Sequence, residues 1–154
     1  MVFLIEEIHR LKEYKEETFY TAVSIADRFL VYLTVSNQHP PCLIRLAIIC
    51  SLLAAKIDQP VSPSFKRMIK LVKREWDFTV EGCKELVNLE EQIIRVLDFS
   101  MHNISPIIFL ERYLRIFGVD CVWEDEDAMQ ISKVARQFIR LFVKDASSLN
   151  YKPS

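Results

Sequence analysis

Two charged side chains interrupt apolar helical patterns and are the best candidates for chemistry. Lys56 directly follows the apolar run LAIICSLLAA, and Glu90 interrupts an apolar row that includes Val87 and Ile94. Each charge alone has a structural interpretation, since a cation near a helix C-terminus interacts favourably with the helix dipole. Together, an acid and a base on neighbouring core helices could clamp the main chain of another protein, with lysine donating and glutamate accepting.

A second charged pair, Asp27 and Arg28, lies inside the apolar stretch AVSIADRFL. Adjacent residues on an α-helix point about 100° apart, so these two side chains do not face each other. The spacing therefore gives no support to a catalytic dyad.

The sequence lacks the groupings that enzyme sites need, such as a nucleophile with its base or a phosphate-cradling loop. It contains only two glycines, and its histidines, His9, His39 and His102, belong to no metal-ligand motif. Ser51 lies in an apolar helix without a GxSxG context. We therefore expect no enzyme activity, no metal, no cofactor and no small-molecule substrate.

A basic cluster, KRMIKLVKR, occupies residues 66–74. Its cations share the polar side of a predicted helix, and the favoured interpretation is a solvated face. The alternative is a docking surface for an acidic or phosphate-bearing partner. No aromatic residues alternate with these bases, and the net charge of the chain is -1, so we expect no nucleic-acid partner.

The elements that position these residues are predicted to be helices throughout, because apolar residues recur at helical spacing and glycine is scarce. Ser62-Pro63 and Ser105-Pro106 are each typical of an N-cap followed by a first-turn proline. Gly118 indicates a helix end. The predicted helices span about 3–13, 16–33, 42–58, 63–74, 80–97, 107–117 and 126–144.

The third helix is apolar on nearly all sides, which indicates a central helix surrounded by others. Its apolar run is shorter than the roughly 18 residues of a membrane span, so we expect no membrane association. The four cysteines form no CxxC pair, and we interpret them as reduced thiols of a nuclear or cytoplasmic protein, with a disulfide framework as the less favoured alternative.

The first five helices make a complete unit by about residue 103, whereas the last two lack a central helix of their own. Two helices alone bury too little surface to offset their ordering entropy. Either they pack on the first unit, or the rest of a second bundle is missing, or a partner covers them.

Several segments, in the right order and spacing, resemble the cyclin family, with mitotic A/B-type cyclins the most similar. The segments are FYTAVSIADRFLVYLTV, LAIICSLLAAKIDQ, LVNLEEQIIRVLDFSM and SPIIFLERYL. The resemblance implies an all-α fold in which residues 1–103 form a five-helix cyclin box around the central apolar helix. Residues 104–154 would then be the first two helices of an incomplete second box.

The resemblance also implies a function. Cyclins are regulatory subunits that bind and activate a cyclin-dependent protein kinase and contribute no catalytic group. The family's lysine and glutamate that hydrogen-bond the kinase C-helix correspond to Lys56 and Glu90. The apolar pocket that receives a kinase side chain would be lined by Leu53, Ile57, Ile94, Phe99 and Met101.

In the family, the aspartate that matches Asp27 usually meets a buried arginine of the preceding helix and ties the two helices together. The resemblance thus implies a structural role for the Asp27-Arg28 motif. That arginine would precede Met1 here, so Asp27 needs another partner, with Arg45 as one candidate, or is exposed. Arg28 is expected to face solvent or the helix end. A different class of function remains open, namely a cyclin-fold scaffold in a larger assembly that does not activate a kinase.

Overall fold

A computed structural model describes residues 1–61, 63–76, 83–101, 104–118 and 126–145. Within these ranges the chain forms α-helices, which confirms the all-α prediction. Their bounds are α1 (Val2–Lys12), α2 (Glu16–Val35), α3 (Leu43–Asp58), α4 (Phe65–Trp76), α5 (Cys83–Val96), α6 (Pro106–Ile116) and α7 (Glu126–Lys144).

The structure divides into two compact units, Met1–Asn103 and Ile104–Ser154. In the first unit, α3 is the central helix: every residue from Leu46 to Ala55 is buried. The other four helices of this unit, α1, α2, α4 and α5, all pack against α3. A helix surrounded in this way can have no polar face, which is why its sequence is apolar on nearly every side.

The start of α4 differs from the sequence prediction. The backbone N–H of Arg67 lies 3.4 Å from the hydroxyl of Ser64, so Ser64 rather than Ser62 satisfies a first-turn donor. The helix accordingly begins at Phe65, two residues later than the Ser62-Pro63 signal implied. Ser62 itself lies outside the described residues.

The second unit contains α6 and α7. The hydroxyl of Ser105 accepts a hydrogen bond from the N–H of Ile107, and Pro106 occupies the first turn of α6, as the sequence predicted. Gly118 follows the end of α6 with φ +72°, a conformation that glycine adopts without strain. Arg136 of α7 lies 3.4 Å from Glu111 of α6, which links the two helices.

Two further observations concern membrane spans and metal ligands. No helix in the described ranges has the length and apolar character needed to cross a lipid bilayer. Among the same residues, no three His, Cys, Asp or Glu side chains come together as metal ligands.

Candidate functional site

The centre of the candidate site is an ion pair between the last turn of α3 and the middle of α5. Lys56 Nζ donates to Glu90 Oε1 at 2.5 Å, although the two residues are 34 positions apart in the chain. The Lys56 side chain is 37% exposed and that of Glu90 is 12% exposed. Both charges are thus held against the body of the unit, yet the ammonium remains accessible to a partner.

A third helix contributes to the position of Lys56. Its ammonium nitrogen lies 5.2 Å from the centroid of the Phe65 ring at the start of α4, within the range of a cation–π interaction. Contacts from both α4 and α5 therefore restrict the rotamers of a side chain that would be mobile if it were fully solvated. The donor is pre-organised before any partner arrives.

Beside this pair, α5 and the turn that follows it form an open groove of about 520 Å³. Its apolar surface includes Val87, which is 45% exposed, and Phe99, which is 75% exposed. Exposed large apolar side chains next to a fixed charge pair are typical of a protein-binding surface. The groove is lined by Val87, Glu90, Glu91, Ile94, Arg95 and Phe99.

The resemblance to cyclins placed three of these groove residues in the site: Glu90, Ile94 and Phe99. It did not identify Glu91 and Arg95, whose side chains form an ion pair of 2.6 Å on the exposed side of α5. Their spacing of four residues was the available signal, because side chains at i and i+4 share one face of a helix.

The structure places the remaining predicted pocket residues elsewhere. Leu53 is 2% exposed and belongs to the core, because it lies one turn before the end of α3, where that helix is still enclosed. Ile57 is 37% exposed but does not line the groove, and Met101 is half-buried after α5. Leu53 thus offers little surface to a partner and supports the last turn of α3 from inside, and its place in the pocket stays a prediction.

The turn after α5 has an unusual backbone. Asp98 and Phe99 have φ values of 48° and 58°, a left-handed conformation that side chains with a Cβ rarely adopt. The N–H of Phe99 donates to the carbonyl of Ile94 at 3.0 Å, which reverses the chain tightly against α5. This geometry projects the Phe99 ring beside the groove, and strained backbone of this kind is concentrated at functional sites.

Arg28 also contacts the segment that follows this turn. Its guanidinium Nη1 donates to the carbonyl oxygen of Ser100 at 2.5 Å, across 72 positions of sequence. The expectation that Arg28 faces solvent or the end of its own helix is therefore wrong. Arg28 is half-buried and connects α2 with the segment after α5. Its guanidinium carries several N–H donors and can bind a carbonyl oxygen outside its own helix.

Asp27 is half-buried, and burial raises the pKa of its carboxyl above the ordinary value. Arg45, the partner suggested from sequence, instead forms an ion pair of 2.6 Å with Glu85 and so links α3 to α5. Tertiary packing decided this pairing, because the contact between α3 and α5 is what brings Arg45 to Glu85.

The sequence of this chain is similar to known proteins. The family model for the N-terminal domain of cyclins matches residues 1–102. A G2/mitotic-specific cyclin-B of Dictyostelium discoideum is 30% identical over 107 residues, covering 68% of this chain and 22% of the relative. The G2/mitotic-specific cyclin cdc13 of Schizosaccharomyces pombe is 27% identical over 148 residues, covering 96% of this chain and 27% of the relative.

A third relative, cyclin-B2-1 of Oryza sativa subsp. japonica, is 24% identical over 148 residues, covering 96% of this chain and 31% of the relative. This chain thus spans about a third or less of the length of these curated relatives. No solved structure matches it.

Proposed function

This chain belongs to the cyclin family, and from that premise we propose that it is a cell-cycle regulatory subunit that binds and activates a cyclin-dependent protein kinase. Relatives named as mitotic cyclins support the cell-cycle role. The observation that carries the proposal is the Lys56–Glu90 pair, held on adjacent helices beside an exposed apolar groove.

The pair is chemically suited to binding a main chain. An ammonium group has three donors, and Lys56 uses one of them on Glu90 Oε1. The carboxylate of Glu90 has a second oxygen that can accept an N–H. A kinase C-helix could therefore offer a carbonyl to Lys56 and an N–H to Glu90 while the ion pair stays intact.

The groove would receive an apolar side chain from the same C-helix. Burial of Val87, Ile94 and Phe99 against that side chain would supply the hydrophobic part of the affinity. The charged pair would set its orientation. Val87, Glu91 and Arg95 extend the predicted contact surface beyond the residues that the family resemblance suggested.

Activation would follow from the position of the kinase C-helix. A regulatory subunit that binds the active arrangement better than the inactive one shifts the population of the kinase toward activity. The Lys–Glu pair and metal ligands of the kinase can then assemble around ATP. The cyclin itself would add no catalytic group, and we propose that the complex acts in the nucleus, the cytoplasm or both.

The test is affinity purification of the tagged chain from its source cells, followed by identification and assay of the captured kinase. We expect Lys56→Glu and Glu90→Lys each to reduce kinase capture by about 30-fold or more, since breaking a charged hydrogen bond at an interface costs about 2–5 kcal/mol. The doubly exchanged variant should recover thermal stability, because its internal ion pair can re-form, but should not recover capture, because donor and acceptor have changed places.

The matched control exchanges Glu7 and Arg10, an exposed ion pair of 2.6 Å on α1. That variant should capture as much kinase as the wild type. Equal capture by the Lys56–Glu90 double exchange, or the absence of any protein kinase among the captured proteins, would contradict the proposal. Capture of a kinase that stays inactive toward a generic protein substrate would favour the scaffold alternative.

A further inference from the structure

A second surface of the first unit, distinct from the groove, is strongly basic. Five cations lie within residues 66–74 of α4, and no acidic residue occurs among them. All five are exposed. With Lys12 at the end of α1, we call this set the basic surface: Lys12, Lys66, Arg67, Lys70, Lys73 and Arg74.

The packing of α4 fixes the direction in which these cations point. Met68 is completely buried, and its neighbour Ile69 is half-buried. Because side chains on a helix repeat every 3.6 residues, this inward stripe turns the cations at i, i+4 and i+7 toward solvent. Lys66, Lys70 and Lys73 thus form one row, and Arg67 and Arg74, seven residues apart, lie together on one side of it.

Like charges at these spacings destabilise a helix. Lys66, Arg67, Lys70 and Lys73 form no ion pair with any residue that the structure describes. Repulsion within the row is therefore not offset by acidic neighbours in the described ranges. An anionic ligand would relieve it.

A cation from a second helix joins the row. Burial, together with the nearby charges of Arg67 and Arg74, lowers the pKa of the Lys12 ammonium. Lys12 therefore lies within electrostatic reach of both guanidinium groups, although it belongs to α1. Cations from two helices therefore contribute to one positively charged surface, which is a more specific arrangement than one solvated helix face.

We propose that the basic surface binds a phosphorylated segment of a partner protein. A phosphoserine or phosphothreonine carries close to two negative charges and three acceptor oxygens, which suits several neighbouring cations better than a single carboxylate does. Guanidinium groups such as those of Arg67 and Arg74 can bind phosphate through two parallel hydrogen bonds.

Other polyanions fit less well. An interfacial membrane helix needs an exposed apolar face opposite its bases, whereas Met68 of α4 is buried in the core. Single-stranded nucleic acid favours aromatic side chains among the bases, and KRMIKLVKR contains none. The surface therefore points to a phosphoprotein.

The experiment measures binding of a fluorescent peptide that carries two phosphoserines, with the unphosphorylated peptide, phosphatidylserine vesicles and a single-stranded oligonucleotide as further probes. We expect the phosphopeptide to bind about tenfold or more tightly than its unphosphorylated form. Arg67→Gln with Arg74→Gln should remove most of this difference, and helicity measured by circular dichroism should be unchanged, because both residues are exposed.

The matched control, Arg112→Gln with Lys133→Gln, removes the same charge from exposed positions of the second unit and should leave phosphopeptide binding unchanged. Equal binding of both peptides, an equal loss in the control, or tighter binding to vesicles or oligonucleotide would overturn the proposal. Kinase capture should be unaffected by the Arg67 and Arg74 changes, so this proposal and the proposed kinase function fail independently.

Discussion

At the scale of single residues, two carboxyl groups of the first unit have opposite surroundings. Glu90 has a cationic partner at 2.5 Å and faces a groove. Asp27 is half-buried in α2, where burial raises the pKa of its carboxyl. The N-terminal ammonium of Met1 offsets only part of this effect, so the ionised carboxylate opposes folding.

This cost gives Asp27 a measurable pH dependence. The pKa of Asp27 is raised in the folded state, so the folded protein holds this proton more tightly than the unfolded chain does. The resulting stabilisation is complete below the ordinary pKa of 3.8 and is lost as the pH rises through the folded-state pKa. We expect Asp27→Asn to unfold at a higher temperature than the wild type at pH 7. The difference should shrink as the pH falls toward 4.

Thermal unfolding of both proteins across this pH range checks the prediction. Asp98→Asn is a suitable control, because Asp98 is exposed and asparagine tolerates its left-handed backbone. If Asp27→Asn lowers the unfolding temperature at pH 7, then the ionised carboxylate has a stabilising partner and its burial is not a net cost.

At the scale of elements, the site depends on how α2, α3 and α5 are joined. Lys56 and Glu90 connect α3 with α5, and Arg45 and Glu85 connect the same two helices at another point. Arg28 extends this arrangement to the turn after α5 through the carbonyl of Ser100. The turn that presents Phe99 is thus held by the backbone hydrogen bond to Ile94 and by Arg28 of α2.

We expect Arg28→Gln to loosen this turn. A hydrogen bond from a charged donor contributes about 1.5–3 kcal/mol when it is buried, and for half-buried Arg28 we expect a loss of about 1 kcal/mol in the free energy of unfolding. Kinase capture should also fall, because Phe99 adjoins Ser100, although the Lys56–Glu90 pair remains intact. Denaturant unfolding and affinity purification measure the two effects.

Arg28→Lys should recover part of both losses, since an ammonium group can still donate one hydrogen bond to Ser100. Arg10→Gln removes an exposed guanidinium from α1 and should change neither quantity by much. Unaltered stability and capture in Arg28→Gln would mean that the turn holds its conformation without this connection.

At the scale of the whole molecule, the two units differ in how much apolar surface they enclose. The first unit surrounds α3, and Cys50 lies completely buried in its centre. In the second unit, several large side chains are exposed, including Phe138 at 69% and Leu141 at 60%. An exposed apolar surface of this kind is typical of a region that another surface covers.

Two cysteines of the first unit report on its integrity. Burial raises the pKa of the Cys50 thiol far above its ordinary value, and the nearby Asp27 carboxylate adds to this effect, whereas Cys42 is exposed. Because the thiolate is the reactive form, we expect iodoacetamide to modify Cys42 in the native protein and to modify Cys50 only when the unit unfolds.

Peptide mass spectrometry at several times of reaction, with and without denaturant, distinguishes the two sites. In denaturant both cysteines should react at similar rates. Modification of Cys50 as fast as Cys42 under native conditions would indicate that α3 is accessible in solution and that the first unit is not tightly packed.

The local pattern of the sequence determined the helices, the central position of α3 and the family. These features follow from residues within a few turns of one another: the apolar run 46–55, the Ser105-Pro106 start of α6 and the glycine after it all act locally. The Lys56–Glu90 combination was also predicted, because a charge that interrupts an apolar row is visible without coordinates.

Only the tertiary structure decided which side chains meet. It placed Arg28 on Ser100 instead of in solvent, paired Arg45 with Glu85, buried Leu53 beneath the site and brought Glu91 and Arg95 to the groove. The physical reason is that periodicity specifies which face of a helix is buried, whereas the distance between two side chains on different helices depends on how those helices pack.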